Sequence, residues 1–207
     1  MTNATNLEFY IQHRKEERYL EYKRSMMWTG NNTTKVKVAK AMMAMSNLRN
    51  GGVIVIGMRE INRGVWEPEG MTHEQITSFT QDDIAQWVND CAIPAVQFKV
   101  EPFTHDDNEF VIIQVQEFDS VPTVCNKQKP RGGDEVLKAG AIYYRSKRKN
   151  ESAPISSEED MRELIELAVR KGVAWQVNWL RELGLVATFP APREDAALKY
   201  EQEREGL

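Results

Sequence analysis

At 207 residues, with 41% apolar and 28% charged side chains, the chain has the composition of one globular domain with an appendage. It carries no run of about 18 apolar residues, which excludes a helical membrane span, and its polar start from Met1 to Tyr10 lacks the pattern of a signal peptide. A net charge of −4 excludes whole-molecule attraction to a polyanion, so any such attraction must come from local clusters of cations.

Leu7 to Lys15 places Leu7, Tyr10 and Ile11 on one side of a short amphipathic helix. Tyr19 to Ser25 alternates as a strand does, and Met26 to Asn32 has the Gly and Asn of a loop. Thr33 or Thr34 can cap the next helix, whose Val38, Met42, Met45 and Leu48 recur at helical spacing. Asn50, Gly51 and Gly52 end it, and Val53 to Gly57 suits a strand covered on both faces. A turn at Asn62 to Gly64 leads back through Val65 and Trp66 as a hairpin. Thr80 caps a helix running to Cys91, with Asp83 as its capping acid and Ile84, Trp87 and Val88 facing inward.

Val96 to Phe103 and Glu109 to Glu117 form the clearest strand pair, joined by the polar turn Thr104 to Asn108. Val121 to Asn126 and Ala141 to Ser146 are further strands, separated by a loop over Lys127 to Glu135. Ser156 or Ser157 caps a helix through Arg170 that buries Met161, Leu164, Ile165 and Ala168. Val173 to Leu183 follows Gly172 as a second helical piece. From Thr188 the chain is polar, either an exposed extension or a helix over Arg193 to Glu205 that folds against a partner. Helices and strands mix without regular βαβ alternation, which predicts an α+β fold: a mixed, mostly antiparallel sheet flanked by helices. The expected division is a domain over 1–155, a helical extension over 156–186 and a polar tail over 187–207.

Three segments can carry chemistry. In Glu16-Glu17-Arg18-Tyr19-Leu20-Glu21-Tyr22-Lys23, strand alternation points Glu21 and Lys23 to one face. A turn before the strand can bring Glu16 towards Glu21. Two carboxylates can hold a divalent cation, and a lysine beside them can steady charge on a phosphoryl oxygen. The plain alternative is a solvated strand face with an ion pair. The second segment, Asn47 to Gly57, has a glycine pair before an apolar strand. It lacks the spacing of a nucleotide-binding P-loop and reads as a helix end feeding a core strand. Glu60, just past that strand, is the natural third carboxylate if the strand lies beside Tyr19 to Ser25.

The third segment, Gly140 to Lys149, interleaves Tyr143 and Tyr144 with Arg145, Lys147, Arg148 and Lys149. Together with Lys127, Lys129 and Arg131 it suits a sugar–phosphate backbone, since arginine takes phosphate bidentately and rings stack on bases. A core tyrosine with a solvated basic end is the alternative. His13, His73 and His105 are scattered and do not suggest zinc. Cys91 and Cys125 sit in apolar stretches as reduced, buried thiols, which fits a cytoplasmic protein. Of the tryptophans, Trp28 is the one to test for base stacking.

Taken in order, Glu-x4-Glu-x-Lys, a helix, Asn-x3-Gly-Gly, an apolar strand, Gly, an acid and a later Gly-x2-Tyr-x-Arg resemble the Schlafen AlbA-like domain, over Glu16 to Ser152. The resemblance implies a nucleic-acid domain and, as in some members, a metal-dependent endoribonuclease on structured RNA such as tRNA, with a role in phage defence. It places Glu16, Glu21 and Glu60 around Mg²⁺ or Mn²⁺, Lys23 on the developing charge, and RNA ahead of DNA as substrate. It also implies that a single lobe pairs as a homodimer, with Ser156 to Leu183 as its interface. The alternatives are a non-catalytic DNA- or RNA-binding regulator and an interaction subunit whose tail docks on another protein.

Overall fold

The computed structural model describes residues 4–29, 32–128 and 137–185. Helix α1 (Ala4–Gln12) precedes strand β1 (Leu20–Lys23); helix α2 (Asn32–Ser46) then returns the chain to β2 (Gly52–Ile56), which lies parallel to β1. The next two strands, β3 (Met58–Asn62) and β4 (Val65–Pro68), form the expected hairpin. A short α3 (His73–Thr77), absent from the sequence reading, leads to α4 (Gln81–Asn89), capped by the Thr80 side chain on the Asp83 amide. After the two-residue β5 (Ala92–Ile93), β6 (Phe98–His105) and β7 (Asn108–Val115) complete an α+β sheet in the order β1-β2-β7-β6, antiparallel except for the β1–β2 pair. The chain closes with β8 (Val124–Cys125), β9 (Tyr143–Arg145), β10 (Ser152–Pro154) and α5 (Glu158–Glu182).

Strand alternation divides the sheet between two cores. Leu20, Tyr22, Val53, Val55, Phe110 and Ile112 pack with Leu7 and Ile11 of α1. Ile54, Ile56, Val111, Ile113 and Val115 pack with α2 and α4. Glu21 is in register with Ile54 and Lys23 with Ile56, so both acid and lysine fall on the α2 side of the sheet, at its edge. The antiparallel β9–β10 ribbon packs on α2 next to that edge. Trp28 is not on the surface: it is buried against Phe79 and Trp87, with the Lys35 ammonium over its ring.

The glycine pair is a packing device. A Cβ on Gly51 would lie 2.0 Å from the Val115 carbonyl oxygen, and the backbone there has φ +72°. Only glycine allows that turn and that approach. The expected break at Gly172 does not occur, and α5 runs through it as one helix capped by Ser157. Its 25 residues gain enough from continuous backbone hydrogen bonding to absorb a single glycine.

Candidate nucleic-acid interface

Glu21 ends in a buried ion-pair cluster. One of its oxygens accepts from the Arg145 guanidinium and the other meets the Lys23 ammonium, while Ser152 Oγ lies 3.4 Å from the first. Arg145 is completely buried, and its remaining donors are also taken: Nε by the Arg18 carbonyl (2.8 Å), and the terminal nitrogens by Glu17 O (3.1 Å), Asn150 O (3.3 Å) and Ser152 Oγ (3.3 Å). A buried arginine with every donor satisfied is committed to the interior and has nothing left for a phosphate.

Glu16 is half-buried beside this cluster and accepts the Tyr22 amide at 3.1 Å. Burial pushes its carboxyl above the usual glutamate range, and Glu21 adds to the rise; the Tyr22 amide, Lys23 and Arg145 oppose it. Glu60 is exposed on the β3–β4 hairpin, where its carboxylate accepts the Gly64 amide at 2.8 Å. Among the described residues no three His, Cys, Asp or Glu side chains are grouped so as to hold a metal ion. The expected Mg²⁺ or Mn²⁺ centre of Glu16, Glu21 and Glu60 therefore does not fit. Glu21 is already neutralised by two cations, and Glu60 serves its own turn.

The basic segment is also divided. Tyr143 and Arg145, expected on a nucleic-acid surface, lie in the interior, because both side chains of β9 face packed elements, α2 and β1. Lys147 and Arg148 are exposed but pair with Glu163 (3.5 Å) and Glu159 (3.1 Å) of α5. Lys127 pairs with Asp90 at the end of α4, outside both clefts described below. Lys129 and Arg131 lie outside the described residues, as does the polar tail over 187–207. Arg148 and Lys149 line clefts, Arg148 one against the start of α5 and Lys149 both that one and the one at the β1 edge.

Two adjoining clefts occupy this edge. One, of about 490 Å³, is lined by Lys15, Glu16, Glu60, Arg63, Gly64, Lys149, Asn150 and Glu151. The other, of about 250 Å³, is lined by Glu16, Glu21, Lys23, Lys37, Lys40, Asn150, Glu151 and Ser152. They share Glu16, Asn150 and Glu151, so they form one groove past the β1 edge. Asn150 fixes the shared wall by donating to the Glu16 carbonyl at 2.8 Å. Sequence reading found Glu16, Glu21, Lys23, Glu60 and Lys149 of this groove and missed Lys15, Lys37, Lys40 and Arg63. A signal for two of them was present: Lys37 and Lys40 share a helical face at i,i+3, and α2 contains no acid.

Asn47 holds the surrounding frame. Its buried amide donates to the carbonyls of Thr123 (2.9 Å) and Tyr143 (3.0 Å) and accepts from the Thr123 amide (2.8 Å). Asn47 thus joins the end of α2 to β9 and to the residue that leads into β8.

These ties order the same segments that define a known family, whose model, described as Schlafen, AlbA_2, matches residues 16–154. The chain belongs to the Schlafen AlbA_2 family. Membership in this family suggests a nucleic-acid-related function. No curated protein matches the chain. Among solved structures, the chain is similar to the DIP2311 protein from Corynebacterium diphtheriae, at 15% identity and a TM-score of 0.45, over 70% of this chain and 23% of that one. It is also similar to the N-terminal domain of a putative ATP-dependent DNA helicase RecG-related protein from Nitrosomonas europaea, at 21% identity and a TM-score of 0.46, over 65% of this chain and 87% of that one. Among the described residues of this Schlafen AlbA_2 chain, no helix is long and apolar enough to cross a membrane.

Proposed function

We propose that this Schlafen AlbA_2 chain binds nucleic acid through the groove along β1 and α2, without cleaving it. One observation carries the reading. Lys15, Lys23, Lys37, Lys40, Arg63 and Lys149 converge on one groove of a protein whose net charge is −4. Glu21 is neutralised there by Lys23 and Arg145. Among the other charged groups lining the groove, Lys15, Lys37, Arg63 and Lys149 outnumber Glu16, Glu60 and Glu151. Clustered cations in a concave wall attract a phosphate backbone and release its counterions. Asn150 and Ser152 add neutral polar groups to the same wall. Structured RNA is the ligand the family resemblance favours, with DNA as the comparison.

The test is fluorescence anisotropy of labelled tRNA and single-stranded DNA at rising salt in EDTA. Binding should persist without divalent metal and weaken steeply with salt. Lys37→Ala with Lys40→Ala should lower affinity about tenfold or more at about 50 mM salt. Absence of binding to both nucleic acids at that salt would sink the reading. Cleavage that requires Mn²⁺ and disappears in a folded Glu21→Gln variant would replace it with the enzymatic one.

A further inference from the structure

Helix α5 opens on a run of acids: Glu158, Glu159, Asp160, Glu163 and Glu166 against Arg162. Two of them serve the helix itself. Asp160 accepts from the Ser157 hydroxyl at the cap (2.6 Å), and Glu158 pairs with Arg162 (2.8 Å). Negative charge in the first turn also suits a helix N-terminus. Glu159 and Glu163 point elsewhere. Glu159 meets Arg148 at 3.1 Å, and Glu163 meets Lys147 at 3.5 Å and Arg18 at 2.8 Å.

The groove continues towards these pairs. A further cleft of about 250 Å³ runs between the β9–β10 ribbon and the start of α5, with Arg148 and Lys149 on one side and Ser157 and Asp160 on the other. It shares Lys149 and Glu151 with the cleft at the β1 edge, so the two adjoin. Lys147, Arg148 and Lys149 are three successive exposed cations just past β9. A phosphate backbone that leaves the groove past Lys149 meets Arg148 and Lys147 next. In the free chain a carboxylate is already at each. Glu159 and Glu163 are four residues apart, so their side chains stand on one helix face roughly 6 Å from each other. They offer the ribbon two negative groups in a row, as a short stretch of phosphate backbone would.

We propose that Glu159 and Glu163 compete with phosphate for Lys147 and Arg148, and so shorten the stretch of nucleic acid that the groove engages. The inference rests on the nucleic-acid reading of the groove. The contact is a partial brake, because exposed ion pairs are weak: Arg148 is 77% exposed and Glu159 53%. Leu164 and Leu167 hold α5 on the body, so only side chains need move for a polyanion to displace the carboxylates. A cation already paired with a carboxylate has fewer counterions to exchange, so it adds little to the salt dependence of binding.

The salt slope of tRNA binding in EDTA tests this by fluorescence anisotropy. Glu159→Gln with Glu163→Gln should raise affinity about tenfold and steepen the slope of log affinity against log salt by about 1 to 2, the yield of two freed cations. Glu159→Gln alone leaves the tie between Arg18 and Glu163 intact and should steepen it by about 1. Glu166→Gln with Glu182→Gln makes the same charge change at two exposed positions of α5 that pair with no ribbon cation, and should leave the slope unchanged. Lys147→Ala with Arg148→Ala should alter wild-type affinity by less than about twofold, yet cancel the gain of the double glutamine variant. Glutamine variants that match the control, or an alanine pair that weakens wild type as much as it weakens the double glutamine variant, overturn the inference and leave the groove reading standing. A chain that binds no tRNA at about 50 mM salt, with or without the substitutions, overturns both.

Discussion

Arg18 and Arg145 hold each other through the backbone: Arg18 Nε donates to the Arg145 carbonyl at 2.6 Å, and Arg145 Nε donates to the Arg18 carbonyl at 2.8 Å. The exchange fastens the β9–β10 ribbon to the turn ahead of β1. The two side chains then diverge. Arg145 goes inward to Glu21, and Arg18 goes outward to the Tyr144 hydroxyl (2.7 Å) and the Glu163 carboxylate (2.9 and 2.8 Å). One junction thus ties strand, ribbon and α5, and the groove runs past the strand and the ribbon.

Breaking the inner arm should be costly. Arg145→Met leaves the buried Glu21 facing only Lys23, and we expect a loss of about 3–5 kcal/mol in urea unfolding. Glu21→Met should cost a similar amount, and the double variant less than the sum of the two, because each single change strands a buried charge.

The outer arm gives acid sensitivity. The hydrogen bond from Arg18 holds the Glu163 carboxyl below the usual range, against a smaller opposing effect of burial. A depressed carboxyl stabilises the fold above its unfolded pKa and loses that contribution as pH falls through the folded one. The melting temperature should therefore fall between about pH 5 and pH 3, and Glu163→Gln should flatten that part of the curve while lowering stability at pH 7.

Glu16 titrates the other way. Burial raises its carboxyl, so it takes up a proton at a higher pH than an ordinary glutamate. Protonation removes a negative charge from the groove shared with Glu21, Glu60 and Glu151. Affinity for a labelled oligonucleotide should rise as pH falls from about 7 to 5, and Glu16→Gln should bind more tightly at pH 7 with a weaker pH dependence. Equal pH profiles for the two proteins would remove Glu16 from the groove's electrostatics.

Gly51 and Gly64 separate conformation from crowding. Both have positive φ, +72° and +76°, but a Cβ on Gly64 would meet nothing within 4 Å. Gly64→Ala should cost about 1 kcal/mol from backbone strain alone. Gly51→Ala adds the clash with Val115 O and should cost at least about 2 kcal/mol more. Differential scanning calorimetry of the two variants checks the contrast.

Most elements were legible because their signals are local. Strand patterning marked β1, β6 and β7, a continuous apolar run marked β2, Thr80 marked the start of α4, and the turn residues before Val65 marked the hairpin. The family order could also be read from motif spacing, and Glu16, Glu21, Lys23, Glu60 and Lys149, which those motifs single out, line the two clefts. Their partners were not legible. Whether Glu21 meets a metal or a guanidinium depends on β9 arriving beside β1 from 124 residues away, and strand alternation cannot say which packed face an arginine enters. The same uncertainty hid Lys37 and Lys40, whose place on the groove depends on how α2 lies across the sheet. The sequence by itself determined most of the elements, their order and the family, since these follow from neighbouring residues, while the short α3 and the unbroken course of α5 through Gly172 did not show in it. Only the tertiary structure decided which charges are spent on each other in the interior and which face the groove, because pairing is settled by contacts between distant segments.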